Sequence, residues 1–222
     1  MSYPFIDSPL VTASIGRPAA EVIEAAHAFP AATLLEAANK LGALPSAIKP
    51  VSPAFRVCGP AVTVHSPPGD NLWLHRALIV AQPGDVLVVY TSDYYEAGYW
   101  GEVMSTAAKE RGVAGLVIDG CVRDAELLAR IGFPVFSRGL CIRGTTKDFA
   151  ARGWINHPLR IGDVAVRPGD LVVGDADGVV VLAQESIDAT LRAAREREDK
   201  EAEILARIAA GELTLDIYGW NR

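Results

Sequence analysis

The sequence predicts an α/β protein, with a parallel or mixed sheet covered by helices in one domain over residues 1–222. Three observations predict it. Short apolar, β-branched runs alternate with stretches of helical period from residue 55 to 136. Turn signals such as Gln82-Pro-Gly-Asp85 and Asp119-Gly120 separate them. The length suits one sizeable core. The expected parts are N-terminal helices (1–50), a core (51–183), and a C-terminal helix and tail (184–222).

Taken in order, 19–29 and 32–41 carry helical periodicity, punctuated by Pro18 and Pro30. Residues 55–65 read as a strand kinked or bulged at Gly59-Pro60. Pro67-Pro-Gly-Asp-Asn71 is a turn into a helix over 71–81, and Val86-Leu-Val-Val-Tyr90 is a buried strand. A loop ending in Gly98-Tyr-Trp-Gly101 precedes a helix over 102–111. A strand over 114–118, a helix over 123–131 and a short strand over 133–136 follow. This alternation is what a helix-covered parallel or mixed sheet requires. After Arg138 the pattern changes. Residues 156–166, 171–174 and 178–182 read as short strands returning in antiparallel hairpins. Residues 186–210 form one long charged helix, followed by a tail from Gly211.

Half the residues are apolar and 22% are charged, which excludes a disordered chain. A net charge of −6 argues against nucleic acid or an anionic membrane as partner. The apolar runs are too short to span a bilayer. Residues 1–7 lack a basic start followed by an apolar run, so no signal peptide is expected and the chain reads as cytoplasmic. Cys58, Cys121 and Cys141 show no zinc or redox spacing and read as structural. His27, His65, His75 and His157 are scattered, with nothing grouping them as ligands.

Two constellations carry chemistry. In Gly115-Leu-Val-Ile-Asp-Gly-Cys-Val-Arg-Asp124 a hydrophobic strand delivers Asp119, Gly120, Arg123 and Asp124 to its carboxyl end, where open α/β sheets bind ligands. Arg123 and Asp124, near a helix start, should project roughly a hundred degrees apart. Asp119 is expected to orient Arg123 or close the turn. In Gly98-Tyr-Trp-Gly-Glu-Val-Met104 a glycine-led helix start offers the amides of Gly101, Glu102, Val103 and Met104 as an anion cradle. Neither a Walker loop nor the dinucleotide glycine fingerprint is present. Tyr99 and Trp100 are placed to shape a pocket wall.

Read together, residues 101–124 closely resemble the RraA-like family, which includes 4-hydroxy-4-methyl-2-oxoglutarate/4-carboxy-4-hydroxy-2-oxoadipate aldolases and the ribonuclease regulator RraA. The likeness continues through Gly59-Pro-Ala-Val-Thr63, Gly69-Asp-Asn71, Gly84-Asp-Val86 and Phe133-Pro-Val-Phe136. It resumes at Val166-Arg-Pro-Gly-Asp170 and Gly174-Asp-Ala-Asp-Gly-Val-Val180, and residues 210–218 look like the aldolase branch.

That resemblance implies a layered αββα sandwich with a central mixed sheet, of the swivelling-domain kind. It implies a lyase that cleaves a hydroxy-oxo di- or tricarboxylic acid to release pyruvate, with oxaloacetate decarboxylation as a side activity. It also implies a divalent metal, Mg²⁺ or Mn²⁺, on Asp124 with waters filling the shell. Arg123 would bind substrate and stabilise an enolate, and residues 101–104 would cradle a substrate carboxylate. Glu102 is expected to hold a metal-bound water. Lys147 and Glu201 fall near further polar positions of the family's site. Glu201 would reach in from a neighbouring subunit of a homotrimer or hexamer, with Glu198 and Glu203 as alternatives on the same helix. Two other readings stay open: a non-catalytic regulator that binds a ribonuclease, and a family lyase acting on a different hydroxy-oxo acid.

Overall fold

The computed structural model describes residues 3–221. After a 3-10 turn at Pro4–Asp7 come two short helices, α1 (Ala20–His27) and α2 (Ala31–Ala37), then a two-residue strand, β1 (Lys49–Pro50). Helix α2 stops before the expected residue 41 because Asn39 and Lys40 both take positive φ, which ends helical hydrogen bonding.

An alternating block builds the parallel half of the sheet: β2 (Val57–His65), α3 (Leu72–Val80), β3 (Val86–Tyr90), α4 (Glu102–Glu110), β4 (Gly115–Val122), α5 (Ala125–Ile131) and β5 (Val135–Leu140). Strands β2, β3, β4 and β5 pair in parallel, in that order. Val86, Leu87, Val88 and Val89 are all fully buried, as are Leu116, Val117 and Ile118, so both faces of these strands are covered. Helix α3 supplies part of the cover, burying Trp73, Leu74, Ala77 and Leu78 at helical spacing.

Beyond β5 come β6 (Trp154–Ile155), β7 (Leu159–Ile161), β8 (Val164–Val166), β9 (Leu171–Asp175), β10 (Gly178–Leu182), the 23-residue α6 (Ile187–Ala209) and a short α7 (Thr214–Ile217). The strand expected over 156–166 is instead divided. Asn156 at positive φ turns the chain after β6, and Gly162, also at positive φ, closes a separate β7–β8 hairpin. Only β6 joins the main sheet, whose order is β1-β5-β4-β3-β2-β9-β10 with β6 also on β2.

The break at Gly59-Pro60 marks a change of partner. Residues 57–60 of β2 pair antiparallel with β9, and residues 61–65 pair parallel with β3. Pro60 has no N–H to donate at the junction. A Cβ on Gly59 would lie 2.2 Å from Gly84 O, so only glycine fits there.

This switch folds the sheet over on itself, and alternation along β9 and β10 shows how. Val172, Val179 and Val181 face the larger core, while Leu171, Val173, Val180 and Leu182 pack with α1, α2 and the start of α6. Gly174 sits against the Phe136 ring across the fold, and Lys49 Nζ donates to Asp177 O, bringing the two end strands together. The result is the αββα arrangement with a nearly closed mixed sheet. Of the described helices, none is long and apolar enough to cross a membrane.

Candidate active site

The site is built where β3 and β4 end. Strand β4 runs past the expected end at Ile118 to Val122, with a register shift between Ile118 and Cys121. The segment before α4 lies beside this extension. Gly98 bridges Cys121, Tyr99 N donates to Cys121 O (2.9 Å) and Arg123 N donates to Trp100 O (2.9 Å). These bonds set the first turn of α4 against Arg123 and Asp124. Two glycines permit the approach: a Cβ on Gly98 would lie 2.3 Å from Cys141 O, and one on Gly101 would lie 2.3 Å from Asp124 Oδ2.

Helix α5 begins at Ala125, so Asp124 is its N-cap residue and Arg123 lies outside it. Asp124 sits at φ 63°, the left-handed region that Asp tolerates better than most residues. The hundred-degree separation expected of two helical neighbours therefore does not hold. Arg123 Nε lies 3.9 Å from Asp124 Oδ2, a long ion pair. The same Oδ2 accepts from Glu102 N (3.0 Å), so the protein's own carboxylate takes one amide of the expected cradle. The first-turn amides of Val103 and Met104 lie beyond it, without an intrahelical acceptor. Both charged side chains stay partly open, Arg123 at 48% exposure and Asp124 at 34%, and can meet a ligand.

A cleft of about 250 Å³ collects Gly101, Glu102, Val103, Met104, Arg123, Asp124 and Lys147. Glu201 is not among its lining residues. It sits on the outer part of α6, paired with Arg197 (2.9 Å), while the buried residues of that helix are confined to Ile187, Thr190, Leu191 and Ala194.

Four further lining residues escaped the sequence reading: Asn71, His75, Gly144 and Thr145. The Gly69-Asp-Asn71 motif was the available signal for Asn71, which looks like a plain turn from sequence. Asn71 is buried; its amide donates to Tyr99 O (2.8 Å), and its Oδ1 has no partner among the described residues. Burial lowers the His75 pKa, helped by the Lys147 charge and opposed by Asp70, which favours a neutral ring at the cleft. Tyr99 and Trp100 do form part of the wall, both almost wholly buried.

Asp119 does not orient Arg123. It is buried and its carboxylate takes Arg138 Nε from the adjacent strand, while its backbone O accepts from Thr91 Oγ1 (2.7 Å). Because β4 continues through residue 119, the side chain alternates to the neighbour's side instead of reaching the mouth. Burial raises the Asp119 pKa and Arg138 opposes the rise. Burial likewise pushes the Cys58 thiol up to about 12, as befits a structural cysteine.

Among the described residues, no group of three or more His, Cys, Asp or Glu side chains is placed to hold a metal. What the cleft offers is the Asp124 carboxylate, with Glu102 alongside. Asp124 Oδ1 makes no hydrogen bond among the described residues. That donor set suits a hard divalent ion that keeps most of its water, such as Mg²⁺ or Mn²⁺.

A folded-over mixed sheet with an Arg–Asp pair facing a helix start defines the class as an α/β protein with an open, polar-lined cleft at its strand ends. The chain matches the RraA-like family (Aldolase/RraA) over residues 20–181 and belongs to it. The match reaches back to α1 and ends within β10, so α6 and Glu201 lie outside it. A Halalkalibacterium halodurans protein, provisionally named a 4-hydroxy-4-methyl-2-oxoglutarate aldolase, is 38% identical over 175 residues, covering 78% of this chain and 82% of its own. An uncharacterised protein of Methanocaldococcus jannaschii is 36% identical over 180 residues, covering 79% and 85%. Among solved structures, an uncharacterised Pseudomonas syringae protein superposes with TM-score 0.79 at 29% identity, covering 89% of this chain and 92% of that one. Streptomyces coelicolor RraAS2, described as an unusual member of the RNase ES inhibitor RraA family, gives 0.75 at 28%, covering 85% and 98%.

Proposed function

We propose that this chain is a divalent-metal-dependent pyruvate aldolase. It would cleave 4-hydroxy-4-methyl-2-oxoglutarate or 4-carboxy-4-hydroxy-2-oxoadipate to pyruvate plus pyruvate or oxaloacetate, and decarboxylate oxaloacetate as a side reaction. The observation that carries this reading is the convergence of Arg123, Asp124 and the α4 start on one cleft.

Cleavage of the C3–C4 bond leaves its electron pair on the pyruvate half as an enolate, while the distal hydroxyl gives its proton to water at the mouth and becomes a carbonyl; a proton from that water then returns to C3 and completes pyruvate. A divalent ion held by Asp124 would supply Lewis-acid polarisation of the 2-oxo group. Arg123 presents a planar guanidinium that suits the developing enolate oxygen or the adjacent carboxylate. The Val103 and Met104 amides hold that carboxylate at the positive end of α4. Glu102, exposed beside Asp124, orients water at the mouth. The Lys147 ammonium makes one hydrogen bond among the described residues, donating to Thr145 Oγ1 at 3.5 Å, which leaves it available for the substrate's distal carboxylate. Decarboxylation of oxaloacetate generates the same enolate, so the same groups serve it.

The reading extends to assembly. Glu201 does not line its own chain's cleft, so a role for it requires a second copy, in a homotrimer or a hexamer of two trimers.

The likeness to RraAS2 favours a second reading, a non-catalytic regulator that binds a ribonuclease. Pyruvate release from a panel of hydroxy-oxo acids, with Mg²⁺ and with chelator, separates the two. Metal-dependent turnover is expected; none on any member of the panel would leave the regulator reading.

A further inference from the structure

Between α3 and the cleft lies a carboxyl group that the proposed chemistry does not use. Asp70 is buried, at 2% exposure, and has no ion-pair partner among the described residues. Burying such a group is costly unless its oxygens are hydrogen-bonded. Oδ1 accepts from Leu72 N (2.8 Å), a local bond that opens α3. Oδ2 reaches much further along the chain, accepting from Thr146 Oγ1 (3.1 Å) and Asp148 N (2.6 Å). The backbones add Thr146 N to Gly69 O (2.8 Å) and Asn71 N to Thr146 O (3.3 Å). Lys147 is thus bracketed on both sides, its neighbours tied down while its own side chain stays exposed.

The same three-residue turn also holds the other wall. Gly69 N donates to Tyr99 Oη (2.7 Å) and Asn71 Nδ2 donates to Tyr99 O (2.8 Å), in the segment that leads into α4. One turn therefore sets where the 98–104 segment and the 145–148 segment stand relative to each other. A helix start needs only the bond to Leu72 N, which any Asn or Ser would make. Only a carboxylate has two acceptor oxygens and can serve Leu72 N together with the Oδ2 pair; an amide, with one, must give up one set.

The geometry assigns Asp70 as a positioning residue: a buried latch that pins residues 146–148 and so fixes Lys147 relative to Arg123. It rests on the lyase reading for its catalytic consequence, though not for the latch itself. Misplacement of a binding group by about 1 Å costs on the order of 100-fold in rate.

The test uses the full chain with Asp70→Ala, which removes both acceptor oxygens, and, as a milder break of the same contact, Thr146→Val, each with and without Lys147→Ala. Three quantities are read: amide hydrogen exchange over 144–150, kcat and KM for pyruvate release, and the affinity for 2-oxoglutarate, which lacks the 4-hydroxyl that cleavage needs. Exchange at 146 and 148 should quicken about 10-fold or more, with protection in β3 and β4 retained. Turnover and 2-oxoglutarate affinity should fall about 10- to 100-fold with Lys147 present. In the Lys147→Ala background the further fall should be under about twofold, because the latch acts through Lys147. Unchanged exchange overturns the assignment, and so does an equal loss in both backgrounds. If the wild type neither cleaves nor binds these acids, the lyase reading falls and the exchange result alone decides the latch.

Discussion

The parallel half of the sheet and the β9–β10 half are built from similar valine-rich strands, yet they do different work. Strands β3 and β4 are buried on both faces, so their side chains are committed to packing and the candidate cleft lies past their ends. Strands β9 and β10 turn one face to the shared core and the other to α1, α2 and the first turns of α6. Their turns hold Asp170 and Asp175, whose carboxylates accept from local and helix-start amides and close the hairpin or cap α2. The lesson is that polar residues between strands become a site only where neighbouring strand ends converge on a shared opening. Elsewhere the same residue types serve the backbone.

The sharpest break of this contrast is Asp124→Ala. Among the described residues its carboxylate accepts one hydrogen bond, from Glu102 N, so the fold should survive while metal-dependent turnover falls on the order of 1,000-fold. Near-normal activity in Mg²⁺ from a folded variant would remove Asp124 from the mechanism. Leu34→Ala works in the opposite sense. Leu34 is fully buried in the helix-covered layer on β9 and β10, and its truncation should cost about 3 kcal/mol of stability. Chemical denaturation should register that loss, while kcat/KM of the folded protein stays within about twofold of wild type. A large fall in kcat/KM would show that the two halves are coupled.

A third experiment asks whether the second half contributes chemistry after all, through a neighbouring copy. Asp124→Ala subunits and Glu201→Ala subunits are purified separately, mixed and allowed to exchange, with exchange confirmed by mass. Partial return of turnover is expected, since in the proposed assembly a mixed ring would place an intact Asp124 near an intact Glu201. No recovery after confirmed exchange, or a monomer by light scattering, sinks the shared site.

The smallest effect concerns pH. His65 closes β2, stacked on Trp154 (3.7 Å between ring centres) with Nε2 against Ser92 Oγ (2.8 Å). Burial lowers its pKa to about 4, below the ordinary 6.5. The folded state thus favours the neutral ring. Its contribution is fully present above pH 6.5 and is lost as the pH falls toward 4. After allowance for partial exposure this amounts to about 1 kcal/mol. Urea midpoints across that window should fall less steeply for His65→Gln than for wild type. Parallel curves would show that the ring is not the titrating group.

Several candidate site residues were legible because the information is local. Gly101 to Met104 lead a helix start, and Arg123 and Asp124 follow an apolar strand, patterns set by residues a few positions apart. The resemblance then added Lys147, which the cleft does contain, and Glu201, which it does not.

By itself the sequence determined the alternation of strands and helices, the helix start at Glu102 and the covered faces of β3 and β4, because period and turn chemistry act over one or two turns of chain. Only the tertiary structure decided that β2 changes partner at Pro60, that Asp119 goes to Arg138 and not Arg123, and that Asp124 caps Glu102. Only there, too, does Asp70 meet Asp148, 78 residues away. These choices depend on which surfaces must be buried together once the sheet folds over. No local propensity encodes such contacts, since each is selected by packing and by the cost of leaving a buried polar group unpaired.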